Sequence, residues 1–75
     1  MVIAPHIEVD PNRCHGKPII QGTRVLVNVV LGHVAAGENF DEIAKAYGIA
    51  AEDVQAAVAF ANDVVHRERF YAASK

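Results

Sequence analysis

Gly48 stands four residues after Ala44, between two stretches whose apolar residues recur at helical period. In a helix-turn-helix a small residue lets the second helix cross close to the first. A glycine in the turn takes a left-handed backbone, and apolar residues at set offsets fill the angle between the helices. Ala44 and Gly48 meet the first two demands; Ile43, Tyr47, Ile49, Val54 and Ala57 meet the third. Asn39 is the predicted N-cap of the first helix, with Glu42 three residues on completing a capping box. Phe40, Ile43, Ala44 and Tyr47 form its apolar face. The next helix is predicted to open at Ala50 or Ala51, where Glu52 and Asp53 suit the positive end of its dipole, and to extend as far as Tyr71.

An earlier helix is written in Val27, Val30, Leu31 and Val34, at i, i+3, i+4, i+7. Asn28 is its expected N-cap and Gly37 its expected stop. Ahead of Val27 the chain is β-branched and turn-rich, with all three prolines. Residues 3–9 read as one strand, Ile7 and Val9 alternating against His6, Glu8 and Asp10. Asp10-Pro11-Asn12-Arg13 is turn chemistry, and residues 17–25 read as a short hairpin turning near Gly22. Strands this short need helices to hold them. The expected fold is therefore α+β. A hairpin arm over 1–27 is followed by a three-helix, homeodomain-like or winged-helix-like helix-turn-helix part over 28–72, within one domain over 1–75.

A chain of 75 residues buries only ~60% of the surface its unfolded form exposes, so its core is marginal. Its one cysteine, Cys14, has no intramolecular partner for a disulfide, which fits a reducing, cytoplasmic setting. Yet 52% of the residues are hydrophobic and the mean hydropathy is +0.15, more apolar surface than one small core requires. The last helix shows where the excess lies. Val54, Ala57, Val58, Ala61 and Val65 form a core-facing stripe, while Phe60, Val64 and Tyr71 form a second, displaced by roughly a quarter to a third of a turn. A helix apolar on two sides is covered on two sides, so Phe60, Val64 and Tyr71 are the expected homodimer interface. The alternative is that Phe60 and Tyr71 fold back on the N-terminal strands. No run approaches the ~20 apolar residues of a membrane span, and no signal peptide is read at the N-terminus.

The net charge of −2 and pI near 6.0 are unlike a generic nucleic-acid binder. The outward residues near the start of the last helix are Ala50, Ala51, Glu52, Gln55, Ala56 and Ala59, of which Gln55 alone suits base-edge readout. From Glu38 to Asp53 five acidic residues face Lys45 alone. Any DNA contact would therefore rest on phosphate contacts from Arg13, Lys17 and Arg24 in the arm, with Gln55 as the one reader; the same cations also read as solvated surface. Cys14, His15 and His6 lack the spacing and number of a zinc site. A Cys14–His15 nucleophilic pair lacks an orienting third group. Gly16, Gly22 and Gly32 do not form a phosphate loop. Neither a catalytic site, a metal nor a cofactor is expected.

Two runs carry a resemblance: Ile7-Glu8-Val9-Asp10-Pro11, and Gly16-Lys17-Pro18-Ile19-Ile20-Gln21-Gly22-Thr23-Arg24-Val25. With Ala36-Gly37, Phe40-Asp41-Glu42-Ile43, Tyr47-Gly48-Ile49 and Glu52-Asp53-Val54, they resemble the bacterial family catalogued as domain of unknown function 433. The resemblance implies the α+β fold above, and Gly16, Lys17, Pro18, Gly22, Thr23 and Arg24 as signature element. The chain departs from the pattern at Cys14-His15-Gly16, where Cys-Gly is more usual, and at Ala50, where a capping Ser or Thr is common. Members are often encoded beside a PIN-like ribonuclease and treated as antitoxins of the VapBC kind. This implies an antitoxin-like, non-enzymatic protein with a PIN-like nuclease toxin and operator DNA as partners. Arg67 and Arg69 are then the expected toxin contacts, cations able to pair two-pronged with active-site carboxylates. The other reading is a dimeric interaction module whose helix-turn-helix is purely structural.

Overall fold

Residues 1–67 are described in a computed structural model of the chain. Three short strands, β1 (Val2–Ala4), β2 (Ile7–Glu8) and β3 (Ile19–Ile20), form an antiparallel sheet in that order. Three helices follow: α1 (Val27–Ala35), α2 (Phe40–Tyr47) and α3 (Ala51–Arg67). The α+β order is the one the sequence implies, with one change of detail. The single strand expected over residues 3–9 is two strands, because the chain turns at Pro5 and His6. Proline cannot donate to a ladder, and His6 adopts a left-handed backbone with φ 67°. Val2 then faces Glu8, and Ala4 faces Ile7.

The hairpin expected near Gly22 is present as a tight turn. The Thr23 amide donates to the Ile20 carbonyl, and Gly22 at the third position has φ 78°, the geometry of a type II turn. The returning chain is pinned by the Ile20 amide on the Val25 carbonyl and by a bridge between Ile19 and Leu26.

Asn28 does not cap α1. The helix begins two residues earlier than that cap would set it, at Val27, whose amide donates to the Pro18 carbonyl, so the arm itself supplies the acceptor. Gly37 (φ 88°) ends the helix as expected: Gly37 donates to the Val34 carbonyl and Glu38 to that of His33, a Schellman motif. Asn39 caps α2 by accepting the Glu42 amide. Gly48 (φ 68°) then turns the chain, with the Ile49 amide on the Ala44 carbonyl. The capping residue missing at Ala50 is replaced from within α3, where Asp53 accepts the Ala50 amide at 2.9 Å.

Ile7 and Ile20 from the sheet meet Val27 and Val30 of α1, Ile43 and Ala44 of α2, and Val54 and Ala57 of α3 in one core. Phe40, Ile49 and Phe60 pack at its edge. Among the described residues no helix is long and apolar enough to cross a membrane.

Candidate functional site

The signature element is built around Glu8. Both residues of β2 are buried, and the Glu8 carboxylate accepts from the Gly22 amide at 2.7 Å and from Arg13 Nη2 at 3.0 Å. Arg13 also donates from Nε to Asp10 and from Nη1 to the Thr23 carbonyl. Thr23 Oγ1 donates to the Ile20 carbonyl and accepts the Val25 amide. The Gly22 amide foremost, and then the Arg13 guanidinium, hold the Glu8 carboxyl below its usual range against the opposing effect of burial. Asp10 is lowered by the Asn12 amide and then by Arg13, and Arg13 is raised chiefly by Asp10. Glycine 22 thus serves twice: its positive φ makes the turn and its N–H meets a buried carboxylate.

This network separates the arm's cations. Arg13, expected at a phosphate, has its guanidinium engaged on three internal acceptors. Lys17 and Arg24 are exposed, and neither forms an ion pair among the described residues. The Cys14 thiol lies 3.4 Å from the Arg24 carbonyl, which joins the loop around Cys14–Gly16 to the loop bearing Arg24. Gln55 is exposed on α3, far along the chain from both, and Glu52 beside it is also exposed. Asp53 is turned inward, bonding the Ala50 amide and His6 Nδ1. Among the described residues no cluster of His, Cys, Asp and Glu has the makings of a metal site.

An apolar groove of ≈ 430 Å³ opens between the start of α1 and the second half of α3. Pro18, Val27, Leu31, Phe60, Ala61, Val64 and Val65 line it, with Asn28 and Lys17 as the polar members. The two predicted stripes of α3 both reach it. Phe60 packs against the core edge, while Val64 is 38% exposed. Val65, expected to face the core, is 59% exposed. Arg67, the last residue described in α3, is exposed; Arg69 and Tyr71, and with them the expected extension of the helix to Tyr71, lie outside the described residues.

Two histidine bridges escaped the sequence reading. His6 Nδ1 donates to Asp53 across 47 residues. His33 Nδ1 lies 2.8 Å from the Glu38 carboxylate and its Nε2 lies 2.7 Å from the Tyr47 hydroxyl, tying α1 to α2. No local pattern marks such pairs, and Tyr47, at an apolar position of the α2 stripe, carries its hydroxyl out to His33.

In comparisons with known proteins, the chain is 34% identical over 53 residues to a Mycobacterium tuberculosis protein described as "Putative antitoxin VapB45". That match takes in 71% of this chain and 22% of the relative, so the chain spans about a fifth of that relative's length. The X-ray crystal structure of Rv2018 from the same organism superposes with a TM-score of 0.64 at 35% identity, over 69% of this chain and 24% of that one. The family model described as protein of unknown function, DUF433, matches residues 7–61. It takes in the Glu8 network, the signature turn, all of α1 and α2 and the larger part of α3, and the chain belongs to that family.

Proposed function

We propose that this chain is an antitoxin-like, non-enzymatic binding module of a type II toxin–antitoxin pair, holding a PIN-like ribonuclease inactive by contact and working as paired copies. The observation that carries the reading is the match, over seven-tenths of the chain, to a relative whose name is that of an antitoxin. Two surfaces are open for the task. One is the exposed pair His66 and Arg67 on the last described turn of α3, with Arg69 two positions further along the sequence. A nuclease of this kind is expected to hold metal-binding carboxylates, and an arginine can pair with such a group through two hydrogen bonds. The other is the exposed pair Lys17 and Arg24, suited to phosphates of operator DNA.

A second reading, an interaction module with a structural helix-turn-helix, is favoured by one feature. The exposed start of α3 offers Glu52 and small residues, with Gln55 as the one base-reading side chain. Co-expression of the full chain with a PIN-like nuclease from its gene neighbourhood, followed by pull-down and growth rescue, separates the two. Capture and rescue are expected, and deletion from Arg67 onward is expected to keep the circular-dichroism spectrum yet lose rescue. Full rescue by the truncated chain would move the contact to the arm; no capture would leave the second reading.

A further inference from the structure

We infer that Tyr47 is a nucleophilic modification site, its hydroxyl activated by His33 and Glu38 to accept an acyl group from an uncharged activated ester or thioester. The three side chains meet at the corner between α1 and α2. Glu38 Oε2 lies 2.8 Å from His33 Nδ1, and His33 Nε2 lies 2.7 Å from Tyr47 Oη. A carboxylate only accepts hydrogen bonds, so Glu38 holds the ring proton on Nδ1. The neutral ring keeps Nε2 as its one acceptor, and Tyr47 donates to it. Carboxylate, imidazole and hydroxyl thus stand as orienting group, base and nucleophile, each within hydrogen-bond reach of the next. The two rings meet edge-on with centroids 5.3 Å apart, and Tyr47 is exposed to an incoming reagent.

In the step, an Oη lone pair attacks the carbonyl carbon of the donor while the hydroxyl proton passes to His33 Nε2. Glu38 offsets the charge of the imidazolium so formed. The tetrahedral adduct collapses as the bond from acyl carbon to leaving group breaks. The leaving group departs with that electron pair, and the imidazolium gives its proton to the leaving group or to solvent. From Glu38 to Tyr47 the exposed charges are Glu38, Asp41 and Glu42 against Lys45, which disfavours a phosphoryl or other anionic donor. The Gly48 and Ile49 amides beyond Tyr47 both donate to the Ala44 carbonyl, so neither is left to stabilise an oxyanion. The arrangement therefore suits a single acylation rather than turnover. An acylated Oη has no proton to give Nε2, so modification unties α2 from α1. This site is independent of the toxin and of DNA.

Incubating the full chain with p-nitrophenyl acetate, then mapping peptides by mass spectrometry, gives the acetylation rate at Tyr47 separately from Cys14 and the lysines. N-acetyltyrosinamide under the same conditions is the unactivated reference. Tyr47 is expected to react roughly tenfold faster or more, a part of what a positioned general base contributes in a closed site. His33→Phe and Glu38→Gln should each bring the rate most of the way back to the reference. Glu38 is exposed, so the second substitution is expected to leave the circular-dichroism spectrum unchanged. Acetylation at Tyr47 should also lower the melting temperature, and an unchanged one would overturn the untying. A Tyr47 rate equal to the reference overturns the inference, as does a rate indifferent to both substitutions; the three side chains would then be a structural tie alone. Acetyl found on His33 with Tyr47 unmodified overturns it too, by making the imidazole the nucleophile.

Discussion

Glu8 sits in a two-residue strand, where alternation gives no warning that both side chains are buried. The ion pair to Arg13 and the Gly22 amide together satisfy a carboxylate that would otherwise be costly to enclose. Its folded pKa is below the ordinary 4.5. A carboxyl lowered in this way stabilises the fold above its unfolded value, and that contribution is lost as pH falls through the folded one. Urea midpoints should therefore decline as pH drops below 4.5. Glu8→Gln, already less stable at pH 7, should decline less steeply over the same range; parallel slopes would show that Glu8 is not the titrating group. Arg13 and Arg24 look alike in the sequence and differ in the structure. In DNA-binding assays Arg24→Ala should weaken all sequences alike and reduce the salt slope by about 1. Arg13→Ala should show chiefly as a lower melting temperature. Identical binding and stability effects at the two positions would contradict that division.

At the scale of elements, the helices were legible because their ends obey local rules. Gly37 and Gly48 stop α1 and α2, and Asn39 starts α2, each through bonds within a few residues. The errors came where a partner is distant in sequence. Asn28 has the chemistry of a cap, yet α1 takes its first acceptor from Pro18, nine residues upstream of Val27. The strand over residues 3–9 broke at Pro5–His6 because the β1–β2 turn there, not the alternation, governs the backbone. These assignments separate two asparagines. Asn39→Ala should cost about 1 kcal/mol in chemical denaturation, the usual worth of an N-cap. Asn28→Ala, exposed and making no cap bond, should fall within about 0.5 kcal/mol of wild type. Equal effects would mean that the cap at Asn39 contributes nothing.

For the molecule as a whole, the sequence located the apolar surplus on α3 but not the groove. Its opposite wall, Pro18 and Leu31, is assembled only when the arm docks on α1. The candidate partner surfaces thus depend on tertiary contacts, whereas the fold class followed from periodicity and turn residues. One such contact has a kinetic side. His6, at the tip of the β1–β2 turn, is joined to Asp53 at the start of α3, and the two are 47 residues apart. Closing so long a loop is entropically expensive compared with forming α1, α2 and the turn at Gly48 from near neighbours. The order of assembly this implies is helices first, with the N-terminal hairpin latching onto α3 after the rate-limiting barrier. A residue whose contact forms that late alters the rate of escape from the native state and leaves the rate of arrival nearly untouched. In stopped-flow measurements His6→Ala should steepen neither arm of the chevron. It should raise the unfolding limb and leave the refolding limb superimposed on that of wild type; a lowered refolding limb would place the latch in the nucleus instead.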